Sequence, residues 1–184
     1  MKLLHIDSSI LGENSVSRAV TAAAAKKLIA AHPGIEVSHR DLAADPLPHL
    51  TLAALSDTAL VDEFLASDIV LIGAPMYNFT LSTQLKAWID RILIAGKTFK
   101  YGAAGPEGLA GGKRVIIAIA RGGFYGMETP AAQAEHLETY LNTVFGFIGV
   151  KPEFIVAEGI AVGPDHRQAA LDKSLAIAAE LKAA

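Results

Sequence analysis

The chain has no cysteine, so disulfides, thiolate metal sites and cysteine nucleophiles are excluded. Neither sign of charge is gathered into blocks. Lys and Arg total 16 against 19 Asp and Glu, a net charge of −3. That balance speaks against a nucleic-acid footprint and against a polybasic membrane patch. No apolar run approaches the ~18 residues of a membrane span. The opening Met1-Lys2-Leu3-Leu4-His5-Ile6-Asp7 is too short in apolar residues for a signal peptide. The expectation is a soluble, cytoplasmic protein with neither nucleic acid nor membrane as partner.

Several catalytic signatures are also missing. There is no G-x-S-x-G nucleophile elbow. The six histidines (His5, His32, His39, His49, His136, His166) show no paired ligand spacing such as H-E-x-x-H, so no metal is expected. The dinucleotide fingerprint G-x-G-x-x-G is absent, and Asp41, where a ribose-binding acid would lie, reads as a turn residue. Gly96-Lys97-Thr98 mimics the tail of a P-loop, but Arg91 stands where its first glycine should be. A phospho-accepting receiver domain would need an acidic acceptor after the third strand, where this chain has Gly73-Ala74-Pro75.

What is present is an alternation of apolar runs and helical patterns. At 184 residues the chain is expected to form one domain, 1–184. That length buries roughly 70% of the surface the unfolded chain exposes. Buried strands are expected at Lys2–Asp7, Ile35–Asp41, Asp68–Ala74 and Lys113–Ala120, with a fifth around Glu153–Ala157. Continuous apolar runs such as Val115–Ala120 suit strands covered on both faces. Helices are expected at Ser17–Ala31, Asp57–Ala66, Leu81–Ala95, Ala131–Phe147 and Asp165–Leu181. Five strands alternating with five helices predict an α/β fold with a parallel sheet. Ala43–Ser56 and Gly96–Gly112 are left as long loops, a length that is often functional.

Three segments carry candidate chemistry. Asp7-Ser8-Ser9 ends the first strand, and Ser15-Val16-Ser17 opens the first helix. Hydroxyls at Ser9, Ser15 and Ser17 beside free helix N–H groups suit a phosphate monoester; one of the serines also reads as an N-cap. Arg18 either adds charge there or is a solvated helix residue. Met76-Tyr77-Asn78-Phe79 follows the third strand with two aromatics where a turn would favour Gly, Asp or Ser. These residues either cap the core or lie against a flat ring. Arg121-Gly122-Gly123 follows the fourth strand, and its glycines allow close approach of a ligand to the backbone. With strand order 2-1-3-4-5, these loops share one rim at the carboxyl ends of the strands. A phosphate cradle, a ring platform and a polar edge suit a mononucleotide with a flat redox-active head, and FMN is the obvious candidate.

The chain resembles the FMN-dependent NADH:quinone oxidoreductases known as azoreductases. The resemblance rests on Ser8-Ser9 with Ser15-x-Ser17, Pro75-Met76-Tyr77-Asn78-Phe79, Ser82-Thr83-Gln84-Leu85-Lys86, Thr98-Phe99-Lys100-Tyr101, Gly105-Pro106-Glu107-Gly108-Leu109, Arg121-Gly122-Gly123 and Ala157-Glu158-Gly159-Ile160-Ala161. It implies a flavodoxin-like fold and a homodimer with FMN near the subunit interface. It also implies that Ser9, Ser15, Val16 and Ser17 hold the phosphate end, and that Met76, Tyr77, Asn78 and Phe79 line the isoalloxazine. Arg121, Gly122 and Gly123, with Ala120 before them, would meet the pyrimidine edge. Two departures stand out: Ala120, where the family often has Ser, and a short Leu47–Asp62 segment. The expected activity is reduction of quinones and azo compounds by NADH or NADPH in a ping-pong cycle. Asn78 and Arg121 would stabilise negative charge, and no protein acid or base is assigned. Phe99 and Tyr101 read either as loop packing or as part of a lid over the neighbouring subunit's site. A non-enzymatic flavodoxin and a flavin-free domain of the same fold are the rival readings.

Overall fold

The computed structural model describes residues 1–182, so the last two residues of the expected 1–184 unit lie outside it. The strands are β1 (Lys2–Asp7), β2 (Glu36–Asp41), β3 (Ile69–Tyr77), β4 (Thr80–Leu81), β5 (Phe99–Gly102), β6 (Gly105–Gly108), β7 (Arg114–Arg121) and β8 (Glu153–Glu158). The α-helices are α1 (Val16–Ala31), α2 (Ala59–Ala66), α3 (Thr83–Ile92), α4 (Glu138–Phe147) and α5 (Pro164–Ala179). The main sheet runs β2-β1-β3-β7-β8, all parallel. This is the expected 2-1-3-4-5 order with two short hairpins inserted between its third and fourth strands. Among the described residues no helix is long and apolar enough to cross a membrane.

Burial follows position in the sheet. Ile69 to Pro75 of β3 and Val115 to Arg121 of β7 are buried at every residue, as central strands covered on both faces require. Ile72, Ile117 and Ile119 face one core with Leu85, Trp88 and Phe145. Leu71, Ile116 and Ala118 face a second core with Val20, Ala24 and Leu28 of α1. The second predicted strand is the exception to the buried reading. β2 lies at the sheet edge with four of its six residues exposed, because only β1 pairs with it.

Four local differences have clear causes. β3 does not stop at Ala74. It continues through Met76 and Tyr77 and turns back as β4, pairing Met76 with Leu81 and Tyr77 with Thr80. α3 therefore starts later than expected, with the Ser82 hydroxyl accepting from Leu85 N at 3.2 Å as its N-cap. The helix expected from Ala131 starts at Glu138, because the Glu135 carboxylate accepts from the N–H groups of Leu137, Glu138 and Thr139 (3.0, 2.8 and 3.1 Å). Finally, the Gly96–Gly112 loop contains the β5–β6 hairpin. Phe99 is buried there against Phe147 of α4, with ring centroids 4.6 Å apart, while Tyr101 is exposed.

Candidate functional site

The loop after β1 and the start of α1 form a buried cluster of hydroxyls. Ser9, Ser15, Val16 and Ser17 are each at most 3% exposed. Ser15 is the N-cap of α1, accepting from Arg18 N at 3.3 Å, and its hydroxyl lies 3.1 Å from that of Ser17. Val16 and Ser17 occupy the first turn, whose N–H groups have no partner inside the helix. Two hydroxyls, two free amides and the positive end of a 16-residue helix thus meet at one point, which is an anion-binding arrangement.

Arg18 is neither a solvated residue nor free to reach an anion. Its guanidinium binds Asp41 of β2 through two hydrogen bonds of 2.7 and 2.6 Å. It also donates twice to the Ser9 carbonyl, at 3.2 and 2.9 Å. Asp41 additionally accepts from the Ala43 and Ala44 amides, as its turn reading required. The Arg18 guanidinium holds the Asp41 carboxyl down at about 2. Arg18 is therefore a strut that fixes the back of the serine loop to the sheet edge.

The β3–β4 hairpin stands beside this loop. The Tyr77 hydroxyl lies 3.1 Å from Ser9 Oγ and accepts from Ile10 N at 3.2 Å. Asn78 and Phe79 form the two-residue turn, with φ of 47° and 73°. Positive φ at both positions gives the twist that a tight hairpin needs. Asn tolerates that conformation, but Phe is unusual there and strained. Both are exposed, while Met76 is half-buried against the core. The Phe79 ring stands edge-on to Tyr125, with centroids 6.3 Å apart. The segment before α4 holds the turn from behind, His136 N donating to Phe79 O at 3.0 Å.

Arg121-Gly122-Gly123 closes the rim. Their three carbonyls accept from Ile160, Ala161 and Gly159 at 3.2, 3.0 and 2.9 Å. That pairing explains why the Ala157–Ala161 motif accompanies the Arg-Gly-Gly motif. Among the described residues no backbone carbonyl takes the N–H of Gly122 or Gly123. Ala120 is buried in the core beneath them. The Arg121 side chain turns away into a cage of carboxylates, 3.4 Å from Glu135, 3.3 Å from Glu138 and 3.6 Å from Glu158. A cleft of about 730 Å³ opens on that cage, between α4, β8 and α5, and it includes neither the serine loop nor Met76–Phe79.

The structure thus joins the three predicted segments through Ser9···Tyr77 and Phe79···Tyr125. Sequence reasoning missed the Arg18–Asp41 clamp and the role of Glu135. It also missed the juxtaposition of His5, Asp7 and His39, whose donor atoms lie within 4.8 Å of one another. His5 and His39 are opposite each other in the β1–β2 ladder, a proximity that no local spacing can reveal.

A family model described as flavodoxin-like fold matches residues 1–181. The FMN-dependent NADH:quinone oxidoreductase 2 of Bradyrhizobium diazoefficiens is 59% identical, with all of both chains covered over an alignment of 202 positions. The FMN-dependent NADH:quinone oxidoreductase of Methylorubrum populi is 60% identical, again over the whole of both chains. A solved azoreductase from Bacillus anthracis strain Sterne, 30% identical, superimposes with a TM-score of 0.87 over 98% of this chain and 100% of that one. By fold and sequence, the chain belongs to the flavodoxin-like family of FMN-dependent NADH:quinone oxidoreductases.

Proposed function

We propose that the chain is an FMN-dependent oxidoreductase that uses NADH or NADPH to reduce quinones by two electrons and to cleave azo compounds. The observation that carries this reading is the continuity of the rim. A helix N-terminus with two serine hydroxyls 3.1 Å apart connects through Tyr77 to a strained aromatic turn, and that turn connects through Tyr125 to two glycine amides. The relatives' names supply the cofactor, and the chemistry of the three segments supports it: hydroxyls at a helix N-terminus, an aromatic turn and glycine amides.

Ser9, Ser15, Ser17 and the Val16 amide would hold the phosphate. Met76, Tyr77, Asn78 and Phe79 would line the ring, and the Gly122 and Gly123 amides would meet its polar edge. When bound, FMN supplies the two-electron chemistry, and reductant and acceptor use the same face in turn, a ping-pong order. The chain's residues position the ring and exclude water. Backbone donors near Asn78 and Gly122–Gly123 favour negative charge on the ring. The Arg121 guanidinium, shared among three carboxylates, contributes less than the Gly122 and Gly123 amides do. By family likeness the working unit is a homodimer with each site near the subunit interface, and the exposed Tyr101 is free to reach a neighbouring subunit.

The test is an anaerobic titration of purified protein loaded with FMN. Bleaching of the flavin band by NADH, with recovery when a quinone is added, is the expected result. Bound FMN that NADH leaves oxidised would make the chain an electron carrier instead. A chain with no affinity for FMN would end both readings.

A further inference from the structure

Below the serine loop, on the face of β1 and β2 that α1 covers, lies a polar cluster that the flavin reading does not use. We propose that His5 Nε2, Asp7 Oδ2 and His39 Nε2 form a site for a divalent transition-metal ion of the zinc class. His39 Nε2 is 3.1 Å and His5 Nε2 is 3.4 Å from the same carboxylate oxygen. Bonds of about 2.0–2.1 Å to a tetrahedral ion place neighbouring ligand atoms about 3.3–3.4 Å apart. Each imidazole nitrogen is therefore already near that spacing from the carboxylate oxygen, and all three donors lie within 4.8 Å of one another. Two imidazoles and one carboxylate also match the ligand preferences of zinc and its neighbours.

The surroundings support this assignment. His5 Nε2 is buried, and its 3.4 Å approach to Asp7 Oδ2 does not have the geometry of a hydrogen bond, a state that a buried ring nitrogen ordinarily avoids. The carboxylate is oriented by Thr21, whose hydroxyl donates to Oδ1 at 2.9 Å and leaves Oδ2 to the imidazoles. Such support from a residue behind the ligand is the usual companion of a metal ligand. Arg18 Nη1 lies 3.8 Å from Asp7 Oδ2. Its charge is matched by Asp41, so the Asp7 charge remains to attract an ion. The His39 side chain is 48% exposed and faces a groove with Gly12, Glu13 and Ala22, which admits water as the remaining ligand.

The experiment uses tag-free, metal-stripped protein titrated with zinc sulfate in competition with a chromophoric chelator, alongside thermal melts with and without zinc. The expected result is one zinc per chain and a higher Tm in its presence. His39→Ala, at a half-exposed position, should keep the metal-free Tm and the FMN affinity while weakening zinc binding at least about tenfold. His5→Gln should weaken it likewise. Failure of the wild-type chain to take up zinc at about 100 times micromolar competitor affinity would overturn the site, since a three-ligand site on a folded scaffold should compete at that level. Equal zinc binding by wild type and His39→Ala would overturn it as well.

Discussion

Ser15 and Ser17 stand 3.1 Å apart, yet their substitution by Ala should have opposite signatures. The Ser15 hydroxyl already accepts from Arg18 N and caps α1. Losing a cap costs about 1 kcal/mol of folding stability, or about 2–4 °C in Tm for a chain of this size. The Ser17 hydroxyl has only Ser15 as a protein partner, and removing it leaves no buried backbone group unpaired. Its stability cost should be near the low end for a neutral hydrogen bond, about 0.5 kcal/mol, because Ser15 keeps its bond from Arg18 N. Toward a phosphate the order reverses. A hydrogen bond to a charged group contributes roughly 1.5–3 kcal/mol, so Ser17→Ala should weaken FMN binding about ten- to a hundredfold at nearly unchanged Tm. Flavin fluorescence titrations and thermal melts of the apoprotein measure the two quantities separately. Wild-type FMN affinity in Ser17→Ala would remove the residue from the cradle. A large loss of Tm in the same variant would show that its hydroxyl supports the fold instead.

Two further outcomes test the frame around the site. The folded Asp41 carboxyl sits at about 2, below its unfolded value near 3.9. Its contribution is therefore fully present above about pH 4 and is lost as pH falls through about 2. It amounts to about 2 kcal/mol, and urea melts of Asp41→Asn between pH 2 and 5 should lack that part of the acid limb. Gly159 has a φ of 77°, and a Cβ there would lie 2.5 Å from the Phe124 ring. Gly159→Ala should cost about 1–3 kcal/mol, seen as a lower Tm; an unchanged melt would mean that the Arg121–Gly123 carbonyls do not depend on that turn.

The parallel order was legible because β3 and β7 are apolar at successive residues, a pattern that only a doubly covered strand tolerates. The buried hydroxyls of Ser9, Ser15 and Ser17 were legible because these serines lie between the end of β1 and the first turn of α1. The hairpin tip was not, because Phe at a positive φ contradicts every turn preference, and β-pairing of Met76 and Tyr77 depends on Thr80 and Leu81 folding back. The β5–β6 hairpin was hidden by its glycines, which carry no strand signal. Its position is set by close packing instead: a Cβ on Gly108 would lie 2.1 Å from Gly149 N, so the hairpin sits directly on the end of α4. The Arg18–Asp41 clamp and the His5–Asp7–His39 cluster join β1 and α1 to β2, and they arise from pairing register rather than from spacing along the chain.

Phe79 is where local preference and structure disagree most, and the disagreement is confined to the rim. A non-glycine residue in the left-handed region costs about 1–2 kcal/mol, and a half-exposed ring recovers little of that by burial. Glycine would serve the turn better, so the turn alone does not account for the side chain. The contact with Tyr125 does account for its orientation: it ties the third loop to the second, as Tyr77 ties the second to the first through Ser9. Tyr77 makes two polar contacts, with Ser9 and Ile10, and Phe79 one aromatic contact, between loops that different strands carry. The sheet beneath and these contacts above join all three loops to one another, and a binding site built in this way would lower the ordering cost of binding. Strain at one aromatic residue is small beside that cost.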